Sequence, residues 1–287
     1  MMTTEQPTKY RIFDCHFHVR GIFLPKENGS RMQLVKYLDR CGIDKAVVTT
    51  LNEDANMKNI VQSFIAGTSR QGIDPMTEGI KNTPLDHEPV RRLVKEHPDR
   101  FVGAYWFNPN DANQEKAYRD LERAIDDWDF RMVKIQSAIH QTRVPEDLDR
   151  LAEFCVSRDI PLFIHLCSPF FTFRGVSPLD TIPFAKQYKK LKIILGHFAH
   201  CMEACMQSCV AATLRSNLYL DTSLGVPYGI FVGYKAIGWQ RMIYGSDSPA
   251  AGNPTIEIEK VNWLEIPIEE KQAIFYDNIA KLVKVED

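Results

Sequence analysis

The sequence predicts an α/β protein of the (β/α)8 TIM-barrel class, and three observations lead there. Eight short apolar runs rich in β-forming residues recur along the 287 residues. Segments with helical spacing separate most of them, and strands that alternate with helices pair in parallel through right-handed crossovers, so that eight such units can close on themselves. No Gly-rich turn follows the first run, where an open doubly wound sheet would carry its phosphate-binding loop.

The eight expected strands are "YRIFDCHFH" (10–18), "KAVVTTL" (45–51), "FVGAYWFNP" (101–109), "MVKIQ" (132–136), "IPLFIHL" (160–166), "LKIILG" (191–196), "NLYLDTS" (217–223) and "RMIYGSDSP" (241–249). Between them the spacing predicts helices over 32–42, 88–98, 114–128 and 145–159. Pro145 suits a first-turn position, and Gly42 a C-terminal cap. The connection from Asn52 to Asp86, containing "AGTSRQGIDPMTEG", is a long loop insertion after the second strand. In a barrel it emerges at the active-site face, as a lid over the substrate or as a plain surface insertion.

A chain with 44% hydrophobic residues can bury one large core, so a single domain over residues 1–287 is expected, with distortion of the barrel allowed for. Its 35 basic and 37 acidic residues give a net charge of −2 without a long run of either sign, which argues against nucleic acid and for a small-molecule partner. Seven cysteines, an odd set, lie within expected strands and helices, and the start "MMTTEQPTKY" has no secretory pattern; a reduced, cytoplasmic protein is expected. No apolar run approaches the roughly 20 residues needed to span a bilayer, so no membrane partner is expected.

The stretch "FDCHFHV" (13–19) carries the chemistry. Strict alternation along a strand would set Asp14, His16 and His18 on one face, looking into the barrel mouth, and Phe13, Cys15 and Phe17 on the other, against helices. His-x-His alone arises readily by chance. His165, His197 and Asp247, however, occur at the ends of the fifth, sixth and eighth runs, where a barrel gathers its functional groups. Imidazoles with one carboxylate form a donor set suited to Zn²⁺, and less decisively to Mn²⁺, Fe²⁺ or Co²⁺.

Taken together, "DCHFH", "FRMVKI", "IPLFIHL", "LKIILGH", "NLYLDTS", "RMIYGSDSP" and "YDNIAKLV" resemble the amidohydrolase superfamily, in particular its amidohydrolase-related (amidohydrolase 2) branch of metal-dependent TIM-barrel enzymes. The resemblance covers nearly the whole chain. It implies that His16, His18, His165 and Asp247 surround one divalent ion, with Zn²⁺ expected and Mn²⁺ the alternative. His197 would then lie beside the ion-bound water or the substrate, or become a ligand in a two-metal version. Asp247 and His197 are the expected catalytic residues, managing the proton while the ion activates water. The expected activity is hydrolysis of a small lactone, ester or amide; the alternative is nonoxidative decarboxylation or hydration of an aromatic or unsaturated acid. A homodimer is expected from the same resemblance. Lys134 is expected to be charge-paired within the barrel, the alternative being a CO₂-carboxylated bridge between two metals. A TatD-like nuclease also begins with Asp-x-His-x-His, but would want an acidic residue where this chain has "WFNP" and "KIQ". A noncatalytic metal-binding protein would have little reason to carry the whole constellation.

For the substrate pocket, Arg20 lies beyond the first strand, Trp106 and Asn108 end the third, and Phe170, Phe171, Phe173 and Arg174 follow the fifth. Arg20, Trp106, Phe170 and Arg174 are the expected substrate-binding residues, suiting an aromatic or unsaturated acid through flat apolar contact and carboxylate pairing. Cys201, Cys205 and Cys209 form one stripe at i, i+4, i+8 spacing, expected to pack rather than to bind metal. His200 is expected at a helix start, Asp14 to orient the site by hydrogen bonds, and His87, His97 and His140 have no assigned role.

Overall fold

The computed structural model describes residues 10–51, 84–137, 139–140, 142–166 and 176–286. All eight expected strands are present: β1 (Phe13–His18), β2 (Lys45–Thr49), β3 (Phe101–Trp106), β4 (Met132–Gln136), β5 (Leu162–His165), β6 (Ile193–Gly196), β7 (Leu218–Asp221) and β8 (Met242–Ile243). They follow one another in chain order in a single eight-stranded sheet, and each neighbouring pair is parallel. The sheet closes where the chain after β8 runs beside β1. There Cys15 N–H donates to the Tyr244 carbonyl (3.0 Å), Asp247 N–H to that of His16 (2.8 Å) and His18 N–H to that of Ser248 (2.7 Å). β8 itself is only two residues long, so this last seam is the irregular part of the barrel.

Helices α1 (Leu34–Cys41), α2 (Glu88–Glu96), α3 (Gln114–Asp126), α4 (Asp149–Arg158), α5 (Thr181–Gln187), α6 (Met202–Leu214), α7 (Pro227–Ile237) and α8 (Pro254–Asn262) surround the strands. Local chemistry sets their ends. Gly42 closes α1 with φ of 69°, a conformation that costs a side chain and suits glycine. Asn113 opens α3 by accepting the Lys116 N–H, and Asn253 opens α8 by accepting the Thr255 N–H ahead of Pro254. Pro145 departs from expectation: it stands in a turn, and α4 begins at Asp149. No helix among the described residues is long and apolar enough to cross a membrane.

Two apolar layers hold the barrel. Outside, Phe17, Ala46, Val48, Val133, Ile135, Leu162, Ile164, Ile193 and Leu195 pack against the helices. Inside, Phe13, Cys15, Val47, Val102, Ala104, Met132, Phe163, Ile194 and Ile243 form a second cluster with Tyr276, Ile279, Leu282 and Val283 of the C-terminal segment. Each large side chain fully buried in this way stabilises the fold by about 1.5–3 kcal/mol. The inner layer fills the lower barrel, leaving polar groups at the mouth.

The strict alternation expected for β1 does not hold. Asp14 pairs with Ala46 and Phe17 with Val48, so Cys15 and His16 together face the single residue Val47 across a β-bulge. The extra residue turns Phe13 and Cys15 inward as well as His16 and His18, and sends Asp14 to the opposite side. There Asp14 accepts hydrogen bonds from His16 N–H (2.9 Å), Ser246 N–H (3.0 Å) and Ser246 Oγ–H (2.5 Å). These bonds tie β1 to Ser246 across the seam.

Candidate metal centre

The strand ends bring His16, His18 and Asp247 together. Asp247 Oδ1 lies 3.2 Å from His16 Nε2 and 3.0 Å from His18 Nε2, and all three residues are buried. Backbone strain helps to aim the groups at the mouth: His197 and Asp247 both take left-handed conformations, with φ of 59° and 55°. For residues other than glycine this costs roughly 1–2 kcal/mol each, and such strain collects at functional sites.

The hydrogen bonds around the histidines determine which nitrogens carry protons. His18 Nδ1 is 2.7 Å from the Thr50 carbonyl, which only accepts, so Nδ1 holds the proton and, in the neutral ring, Nε2 carries a lone pair. Ser223 Oγ gives its one proton to Asp221 Oδ2. Its lone pairs then accept from His197 Nδ1 (2.9 Å) and His16 Nδ1 (3.3 Å). Asp221 Oδ2 also accepts the His197 backbone N–H at 3.0 Å. His16 Nε2 is thereby left bare, and so is His197 Nε2, which accepts from His165 Nδ1 at 3.1 Å.

Electrostatics keeps His16, His18 and His165 neutral. Burial, then the nearby Lys134, pushes His16 down to about 3 and lowers His18. His165 is held well below its ordinary value by burial and by His197. Burial alone would raise the Asp247 carboxyl, yet it lies well below the usual range and is ionised. Three electron-pair donors thus face one another at about 3 Å with no proton of their own to share, an arrangement that favours a cation beside them, and the Lys134 ammonium stands against the two imidazole nitrogens. Two bare imidazole nitrogens and a carboxylate oxygen fit a divalent ion, leaving coordination positions for water or substrate. A second group, His16, His197 and Asp221, is already tied together through Ser223.

Of the predicted ligands, His165 stands apart from this trio, hydrogen-bonded to His197. His197 Nε2 is 3.8 Å from Asp247 Oδ2, within the same mouth. Lys134 is buried beside the trio, its Nζ 2.5 Å from His16 Nε2 and 3.2 Å from His18 Nε2. Arg20 is half-buried just beyond β1. Trp106 is buried with its ring 6.2 Å from His18. Phe170, Phe171, Phe173, Arg174 and most of the insertion at 52–86 lie outside the described residues. His200 donates from Nδ1 to the His197 carbonyl, ahead of α6, as an outer residue. Cys205 and Cys209 are buried in the core and Cys201 caps α6, which agrees with packing.

Sequence reasoning missed Asp221, Ser223, His87 and His140. Asp221 and Ser223 stood in "LYLDTS" at the end of β7, and the carboxylate at a strand end was the available signal. Ser223→Ala is expected to weaken metal affinity by about 10–100-fold while the fold persists, as loss of a group that orients ligands does. Competition against a chromophoric chelator measures this, and an unchanged affinity would refute the proton assignment above.

His87 and His140 fix Trp106 from two sides. His87 Nε2 accepts the Trp106 backbone N–H, and His140 Nε2 accepts the indole N–H, both at 3.0 Å. Burial pushes His87 down to about 4 from an ordinary 6.5. The unfolded chain takes up a proton below pH 6.5 while the folded chain resists it, so this contribution is complete above pH 6.5 and is lost as pH falls towards 4. Between pH 7 and 4.5 the wild type is expected to lose about 2 kcal/mol more stability than His87→Gln, whose amide can accept the same bond without titrating. Urea unfolding of both proteins at the two pH values checks it.

Fold and donor set define a class: a parallel (β/α)8 barrel with a histidine–aspartate cation site at its mouth. The chain belongs to the amidohydrolase family, whose profile matches residues 13–285. Among solved structures, 2,6-dihydroxybenzoate decarboxylase from Rhizobium is similar with a TM-score of 0.64 at 16% identity, covering 97% of this chain and 100% of that one. The 5-carboxyvanillate decarboxylase of Novosphingobium aromaticivorans, complexed with manganese and 4-hydroxy-3-methoxy-5-nitrobenzoic acid, gives 0.65 at 16% identity, covering 96% of this chain and 97% of that one. An uncharacterised TIM-barrel protein, Bb4693 of Bordetella bronchiseptica, gives 0.68 at 16% identity, covering 96% and 98%. At these identities the likeness is one of fold. A sequence comparison with curated proteins gave no match.

Proposed function

We propose that this protein is a metal-dependent nonoxidative decarboxylase of an aromatic or unsaturated carboxylic acid. The observation that carries the reading is the meeting of the His16–His18–Asp247 trio with the His165–His197 imidazole pair in one mouth. The decarboxylase relatives favour this reaction over lactone, ester or amide hydrolysis. Mn²⁺ is the proposed ion, since one of those relatives holds manganese, and Zn²⁺ is the alternative.

When bound, the ion would anchor the acid's oxygen atoms and withdraw electron density from the bond to the departing carboxylate. Loss of CO₂ leaves the bond's electron pair on carbon, which must then take one proton. The hydrogen-bonded pair His165–His197 can hold and pass that proton, with Ser223 fixing the orientation of His197. Trp106, locked by His87 and His140, provides a flat apolar wall for an unsaturated acid. Arg20, Phe170 and Arg174 remain proposed substrate contacts. A homodimer belongs to the same proposal: Met202, Met206, Val210 and Leu214 follow one side of α6 with 39–55% of their surface exposed, an apolar face that a second copy would cover.

Manganese-loaded protein incubated in D₂O with a panel of hydroxybenzoates and unsaturated acids tests the reaction. CO₂ release with one deuterium at the vacated carbon is expected. Turnover of lactones or amides without CO₂ release would assign hydrolysis instead.

A further inference from the structure

We propose that the Lys134 ammonium and the divalent ion are alternative occupants of one position, so that ion binding requires Lys134 Nζ to withdraw. This rests on the reading that His16, His18 and Asp247 hold a divalent ion. Nζ stands 2.5 Å from His16 Nε2 and 3.2 Å from His18 Nε2, on the two lone pairs an ion needs. Asp247 Oδ1, the third donor, lies 3.2 Å and 3.0 Å from those same two nitrogens. An ion bound about 2.1 Å from those nitrogens would overlap Nζ sterically and repel its charge. Both cannot be accommodated at once.

The surroundings make such an exchange feasible. Lys134 comes from the middle of β4, so its backbone is fixed, while its four-carbon stem can re-aim the head group. The Trp106 ring is centred 5.1 Å from Nζ and the Phe163 ring 5.5 Å, so an aromatic face is at hand to receive the displaced ammonium. The same ammonium gives the three converging lone-pair donors a counter-charge when no ion is bound. Lys134 therefore sets the metal affinity: if Nζ holds the position nine-tenths of the time, apparent affinity falls about tenfold.

The test is Mn²⁺ titration of chelator-treated wild type, Lys134→Met and Lys134→Gln, with thermal unfolding of each at zero and saturating Mn²⁺. Both variants are expected to bind Mn²⁺ at least about tenfold more tightly than the wild type. Without metal both should melt below the wild type, and Mn²⁺ should raise their melting temperature by more. Measurable binding by the wild type with equal or weaker binding by both variants would overturn the exchange while leaving the metal reading intact. Binding by none of the three would overturn both.

Discussion

Asp247→Asn is expected to lose metal affinity by at least about 100-fold and turnover by about 1000-fold or more, with the fold retained. Asp247 is the one anionic group of the trio, and its Oδ1 reaches both His16 Nε2 and His18 Nε2. An asparagine carbonyl oxygen keeps the shape but not the charge, and its NH₂ group would point protons at two nitrogens that must remain bare for a cation. The fold should survive, because the seam bond from residue 247 to the His16 carbonyl comes from its backbone N–H. Metal content after dialysis, turnover and circular dichroism check the three parts. Wild-type metal content and turnover in this variant would remove Asp247 from the site.

The second large effect is expected at a residue without a side chain. A Cβ on Gly245 would lie 2.1 Å from Asp221 Oδ1, 3.0 Å from Cys15 Sγ and 3.1 Å from His16 Cβ. Gly245→Ala therefore forces Asp221, the acceptor for Ser223 and for the His197 backbone, out of its position. Overpacking of this kind costs about 1–3 kcal/mol, and the buried seam between β8 and β1 has little room to relax. The variant is expected to unfold at lower denaturant concentration and to bind metal at least about 10-fold more weakly, as displacement of an orienting carboxylate would cause. Denaturant midpoints together with chelator competition measure both. Stability and affinity equal to the wild type would show that the seam is looser than these distances imply.

The barrel was legible because each strand announces itself by a run of β-branched and aromatic residues, and both faces of such strands are buried in a parallel barrel. "MVKIQ" was bounded to the residue, and His16, His18 and Asp247, singled out at their strand ends, lie together because strand ends converge whatever the loops do. The face assignment in β1 failed for a local reason: a bulge leaves no signature in alternation, and one extra residue between Asp14 and Phe17 reverses the sides of Phe13, Asp14 and Cys15. Ser223 and Asp221 were missed because their effect lies in where protons sit, which spacing does not encode. His87 and His140 looked isolated along the chain and became partners only when folding brought both to Trp106.

The central claim is that His16 Nε2, His18 Nε2 and Asp247 Oδ1 hold one divalent ion. A crystal structure of Mn²⁺-supplemented protein, with anomalous scattering recorded for manganese, tests it most directly. The account predicts one anomalous peak within about 2.3 Å of all three atoms, with Lys134 Nζ moved away. A protein that remains free of manganese at that point, or an ion held by other residues, would contradict it.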